Sequence, residues 1–228
     1  MRLINVETFK LEAFVGRTIP KYAILSHTWG TDQEEISFRD VENGRIGNAE
    51  SRPIKLDGCC KQAMHDGLKY VWIDTCCIDR ANSTELGEAI NSMFRWYQDA
   101  FICYTYLSDV PDGDNPKNLV SAFSSSRWFQ RGWTLQELLA PKRLHFYNSS
   151  WSHLGSRSML STTIQRITNI PVPLLIGLKP LDSASVAQRM SWAANRATTK
   201  KEDIAYCLLG IFGVMMPMIY GEGDEAFR

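Results

Sequence analysis

YAILSHTWG (residues 22–30) decides how this chain folds. Tyr22 to Leu25 form an unbroken apolar run, and the residues after it are polar and end in a glycine. A strand covered by helices on both faces reads this way, because neither face is given to water. Two other runs share the character, YVWIDTC (70–76) and FICYTYL (101–107), and RLHFYN (143–148) is a fourth strand candidate; all are rich in β-branched and aromatic residues. Helical segments lie between them. NSTELGEAINSMFRWYQDA (82–100) repeats Leu86, Ile90, Met93 and Tyr97 at helical spacing, with Asn82 as its cap and Glu85 at the third helical position. Residues 54–68 and 127–140 are two further helix candidates. Strands alternating with helices predict an α/β fold: a parallel sheet with right-handed crossovers, flanked by helices.

The 228 residues are 44% hydrophobic and 22% charged, as expected of one large soluble domain. Formal net charge is zero, so no global basic field points to nucleic acid or to an anionic membrane. The cysteines at 59, 60, 76, 77, 103 and 207 include two adjacent pairs, which lack the spacing of zinc or thioredoxin-like sites. MRLINVETFKLEAF carries charges every few residues and does not read as a secretory leader. CLLGIFGVMMPMIY is too short to span a bilayer and contains Pro217. The expectation is a cytoplasmic protein with reduced thiols and no metal. From about residue 150 the patterns become helical, in TTIQRITNI, SVAQRMSWAANR and EDIAYCLLGIFGV. A single domain is therefore expected, with an α/β core over about 1–150 and a helical extension over about 151–228 packed on it. GEGDEAFR reads as the opening of another helix, so the chain is expected to continue in a longer protein.

In open parallel sheets ligands bind beyond the carboxyl ends of the strands. Here those ends are polar: Ser26, His27, Thr28, Trp29 and Gly30 after the first run, and Asp74 to Asp79 after the second. The segment RGWTLQELLAP (131–141) leaves the same edge and holds one acid, Glu137, among apolar and amide residues. A solvated helix acid is the ordinary reading of such a residue. A strand-end crevice would give it a chemical task instead. Asp74 reads equally as a loop-fixing group and as a ligand contact, Asp79 as a turn residue, and His27 as either a structural or a ligand-facing imidazole. Cys76 and Cys77 beside His27 lack any orienting motif and read as small buried hydrophobes, not nucleophiles. Trp96, Trp128 and Trp192 read as core, and Trp29 as a pocket wall. GEGDE lacks a preceding strand and is not a phosphate loop.

YAILSHTWG, WIDTCCID, ELGEAINSMFRWYQDAFICYTYLSDV and SRWFQRGWTLQELLAP resemble, block by block, the fungal heterokaryon-incompatibility (HET) domain. RMSWAANRATTKKEDIAYCLLGIFGVMMPMIYGEGDEAF is similar to that family's continuation. Members trigger cell death when genetically different fungal cells fuse. In several of them the domain precedes a nucleotide-binding oligomerisation module and a repeat region. The order of elements also resembles the TIR domain, a flavodoxin-like parallel sheet. WTLQEL (133–138) is similar to the WCxxEL segment of plant TIR domains, with Thr134 at the Cys position. In catalytic TIR domains the Glu of that segment is needed to cleave NAD+ between nicotinamide and ribose, which implies Glu137 as the catalytic residue. ILSHTWG (24–30) is placed like the TIR segment FLSFRG but departs from it at His27 and Trp29. The resemblance implies NAD+ or a related nucleotide as substrate, not as cofactor. Ser26, His27, Trp29, Gly30, Asp74, Arg131 and Trp133 would contact it. Self-association is a further expectation, and a non-enzymatic adaptor acting by homotypic assembly is the alternative.

Overall fold

The computed structural model describes residues 1–16, 19–31, 34–47 and 51–227. The four apolar runs are the four central strands: β3 (Ala23–His27), β4 (Tyr70–Trp72), β5 (Ile102–Tyr106) and β6 (Leu144–Tyr147). Every residue of β3 and β5 is buried, as the unbroken runs require. All three pairings among these strands are parallel, and β3 and β5 match over their full length from Ala23↔Ile102 to His27↔Tyr106. Their spatial order is β4-β3-β5-β6, the flavodoxin-like and TIR-like arrangement. Chain order reverses beside β3, so a crevice opens at its carboxyl end.

Antiparallel strands extend this parallel centre at both edges. β1 (Arg2–Asn5) pairs with β4, β2 (Leu11–Ala13) with β1, and β7 (His153–Ser156) with β6. The sheet is thus seven-stranded and mixed, in the order β2-β1-β4-β3-β5-β6-β7. Sequence reading expects only the parallel strands. The edge strands are three or four residues long and partly exposed, too short and too polar to show a period.

Among the described residues four helices precede β5: α1 (Phe38–Glu42), α2 (Ile54–His65), α3 (Asp74–Cys77) and α4 (Ser83–Asp99). The Asn82 side chain accepts from the Glu85 N–H and caps α4, which buries Ala89, Ile90, Met93 and Tyr97. The helix expected over 127–140 is divided. α5 (Ala122–Ser125) and a 3₁₀ turn (Arg127–Gln130) come first, and α6 starts only at Thr134 and ends at Leu139. Between them the chain is extended and pairs with the C-terminal extension. The Gly132 N–H donates to the Ala197 carbonyl at 2.9 Å, and the Ala197 N–H to the Gln130 carbonyl at 2.7 Å. A Cβ on residue 132 would lie 2.5 Å from Thr198 Cγ2, so only glycine admits this approach.

The extension contributes α7 (Ser161–Thr168), α8 (Val172–Leu175), α9 (Val186–Ser191), α10 (Asp203–Tyr206) and α11 (Leu209–Phe212). Ile164, Leu175, Trp192, Leu208 and Ile211 lie in the same hydrophobic core as Ile24, Trp72 and Phe146. Among its described residues, GEGDEAFR forms a 3₁₀ turn, Gly223–Phe227. Among the described residues no helix is long and apolar enough to cross a membrane.

Candidate active site

Glu137 lies in the six-residue α6 and is only 7% exposed. Its carboxyl group forms part of the wall of a cavity of about 340 Å³ at the strand ends, shared with His27, Trp29, Asp74, Arg131 and Trp133. Six of the eight residues expected at the site therefore surround one space. The acid that could have been solvated points inward. A helix starting at Thr134, after the break at Gly132, turns the 137 side chain toward β3 while Leu135 and Leu138 enter the core.

The other two residues stand behind this wall. Ser26, fully buried at the end of β3, donates its hydroxyl to Glu137 Oε2. The same hydroxyl oxygen accepts from Trp128 Nε1 at 2.8 Å, so the indole orients the serine and the serine orients the acid. Trp128 is buried as expected of a core residue, yet its one polar atom serves the site. Tyr97 on α4 adds a second hydroxyl beside Glu137, whose proton is donated to the Leu25 carbonyl at 2.9 Å. Burial is the largest influence on Glu137. It outweighs the Ser26 bond and raises the carboxyl pKa to about 8, with Asp74 pushing the same way and Arg131 opposing. Gly30 contributes only its backbone N–H, which donates to Glu35 Oε1 at 2.7 Å.

Asp74 organises the rim. One oxygen meets His27 Nε2 at 2.9 Å, and the other accepts from Trp29 Nε1 at 2.8 Å and from Arg80 at 3.1 Å. Burial presses this carboxyl upward, but the His27 bond and charge, with Arg80 and Trp29, more than offset it and hold the pKa at about 2. Asp74 thus stays ionised beside a neutral-leaning Glu137, two carboxyl groups separated by their surroundings. The Trp29 ring is 40% exposed, with the Arg80 guanidinium 3.7 Å from its centroid and Arg131 at 5.8 Å. Asp79 accepts from the Ala81 N–H, as a turn residue does.

Several participants carry no sequence signal. Buried Lys55 on α2 reaches the Thr28 carbonyl at 2.9 Å and ion-pairs with Glu35. Glu35 also lies 3.8 Å from His27 Nδ1, a buried atom that makes no hydrogen bond. This pair anchors the loop after β3 from twenty residues away in the chain. Arg196 of the extension donates to the Arg131 carbonyl at 2.9 Å and to Thr134 Oγ1 at 3.0 Å, fixing the start of α6. Lys200, Asp203 and Tyr220 complete the cavity from the same extension. Cys76 and Cys77 are buried, and burial raises the Cys76 thiol well above its ordinary value, so it supplies no thiolate. Among the described residues no cluster of His, Cys, Asp or Glu has the arrangement of a metal site.

A parallel centre in flavodoxin-like order, with a ligand-sized cavity at its strand ends and a buried acid in its wall, defines a TIR-like α/β domain. The family model described as "Heterokaryon incompatibility protein (HET)" matches residues 22–118, from the start of the first central strand into the loop beyond the third. Over those residues the chain resembles this family. It is 51% identical, over 212 residues and 91% of its length, to the vegetative incompatibility protein HET-E-1 of Podospora anserina. That match covers 15% of the relative, so the chain spans under a sixth of the protein it resembles. No solved structure matches.

Proposed function

We propose that this chain is a cell-death effector domain of fungal heterokaryon incompatibility that cleaves NAD+, or a related nucleotide, at the nicotinamide–ribose bond. The observation that carries this reading is the Glu137 carboxyl group, buried in the cavity wall and oriented by Ser26. Breaking the N-glycosidic bond moves its electron pair onto nicotinamide and leaves positive charge on the ribose. A fixed carboxylate beside the ribose stabilises that charge and orients the incoming water. The water oxygen bonds to the ribose carbon and its proton leaves to Glu137 or to solvent. Nicotinamide is a competent leaving group as it stands and needs no strong general acid.

The Ser26 hydroxyl favours the charged form of Glu137, and the cationic nicotinamide ring of the substrate adds to that preference. Arg131 and Arg80, both in the cavity lining, would meet the pyrophosphate, and Trp29 and Trp133 would offer ring faces. A space of about 340 Å³ lies at the small end of ligand sites, enough for the nicotinamide riboside half of a dinucleotide. We place the protein in the cytoplasm and expect it to self-associate, as the family resemblance implies.

The test is nicotinamide release by the wild type and by Glu137→Gln, each shown to be folded. The wild type is expected to release nicotinamide and the variant to lose release by at least about a hundredfold. If a folded, assembled wild type releases none, the enzymatic reading fails and a non-enzymatic adaptor takes its place.

A further inference from the structure

The C-terminal segment after α11 is attached to the domain in an unusual way. Residues 213–227 contain one 3₁₀ turn and lie across the outer face of α4. Polar side chains hold their backbone at a few points. Asn91 of α4 donates to the Met216 carbonyl at 2.9 Å and accepts from the Met216 N–H at 3.2 Å, as a neighbouring strand would. Glu202 accepts from the N–H groups of Gly221 and Gly223, and the Tyr206 hydroxyl accepts from the Ile219 N–H at 3.0 Å. Beneath the segment lie buried Ile90, Tyr206 and Leu209, the smaller of two apolar clusters. Above it Met215, Ile219 and Phe227 are more than half exposed.

Between these latches the segment carries Tyr220, which lines the same cavity as Glu137. The Tyr220 hydroxyl donates to Asp203 at 3.0 Å, and the Lys200 ammonium rests 3.9 Å from its ring centroid. Both partners also face the cavity. Gly213, Gly221 and Gly223 have φ of +66°, +111° and +60°, conformations that suit glycine and let a chain pivot on either side of Tyr220.

We propose that residues 213–227 form a hinged wall of the nucleotide pocket, opening to admit the ligand and closing Tyr220 over it. In naming the ligand as a nucleotide this rests on the function proposed above; the hinged wall itself does not. Tyr220 is the specificity-determining residue of the wall, offering its ring to a ligand base or sugar across from Trp29. Lys200 leaves the Tyr220 ring for a ligand phosphate, and so links binding to the position of the strap.

Leu86 of α4 lines the cavity under the strap, and the native cysteines are all buried. A Leu86→Cys thiol therefore reports opening through its labelling rate with a maleimide. Adding Asn91→Ala, or separately Tyr206→Phe, removes latch bonds and is expected to speed labelling at least about tenfold. Equal rates in folded variants overturn the proposal. In the unmodified chain, the amides of Ile219, Gly221 and Gly223 are expected to exchange with solvent at least about a hundredfold faster than those in the middle of α4. Exchange at the α4 rate overturns it as well, whatever the variants do. Neither readout needs turnover, so labelling that accelerates in a protein releasing no nicotinamide would sink the enzymatic reading and keep the strap. In an active protein Tyr220→Ala is expected to raise KM roughly fivefold with kcat little changed; an unchanged KM removes Tyr220 from ligand binding.

Discussion

Glu137→Gln separates the burial of this acid from its chemistry, and stability reads the burial alone. Desolvation lifts the carboxyl pKa from 4.5 to about 8 in the folded chain. Between those values the folded state keeps a proton that the unfolded chain has released. The unfolded state binds fewer protons there, so stability falls as pH rises and levels off above about 8. At about 1.4 kcal/mol for each pK, the gap of about 3.5 (8 − 4.5) amounts to at most about 5 kcal/mol. Glutamine has nearly the same shape, bonds Ser26 as a neutral group and never ionises. Between about pH 6 and about pH 9 the wild type should lose roughly 2–3 kcal/mol more than the variant. For a chain of this size that is a relative shift of about 1 M in the urea midpoint. Urea melts followed by far-UV dichroism at four pH values measure it. Parallel pH profiles would refute the reasoning, because they would mean that Glu137 ionises in the folded state as it does in the unfolded one.

Three further outcomes are expected. In the active protein kcat/KM should rise with pH and level near pH 8, as Glu137 loses its proton; a flat profile from about pH 6 to about pH 9 would remove the carboxylate from the rate-determining chemistry. Asp74→Ala frees the Trp29 indole and the His27 ring, and KM for NAD+ should rise roughly tenfold with kcat changed less. Steady-state kinetics decide this, and an unchanged KM would leave Asp74 a purely structural group. Gly132→Ala forces a methyl against Thr198 Cγ2 and should lower stability by about 1–3 kcal/mol in thermal melts. Thr198→Ser removes that methyl and should restore part of the loss, whereas no recovery would point to the backbone at 132.

Local pattern carried the parallel centre of the fold. Nearly continuous apolar runs at 22–27, 70–76 and 101–107 read as strands covered on both faces, and 143–148 as a fourth strand. The capped, amphipathic α4 between two of them set the crossover. The edge strands were illegible because a strand of three or four half-exposed residues has no periodicity to read. The break at Arg131 to Trp133 was hidden for a different reason. RGWTL has one helix-weakening glycine and no proline, and the chain leaves the helix there because Ala197, far along the sequence, takes its backbone bonds.

The site divides in the same way. Residues that leave strand ends, such as His27 and Asp74, were visible because chain order alone brings strand termini to one edge. The match of WTLQEL to a known segment marked Glu137 as a candidate. Its direction was beyond any local pattern, since a helix beginning three residues earlier would present position 137 on another face. Lys55, Glu35, Arg196 and Tyr220 reach the site from segments with no motif, each placed by packing between elements far apart in sequence. The amino-acid sequence by itself determined which strands are buried, which of their ends are polar and which acid was worth watching. Only the tertiary structure decided that this acid faces a cavity, because its inward turn, its desolvation and its serine partner all depend on long-range contacts.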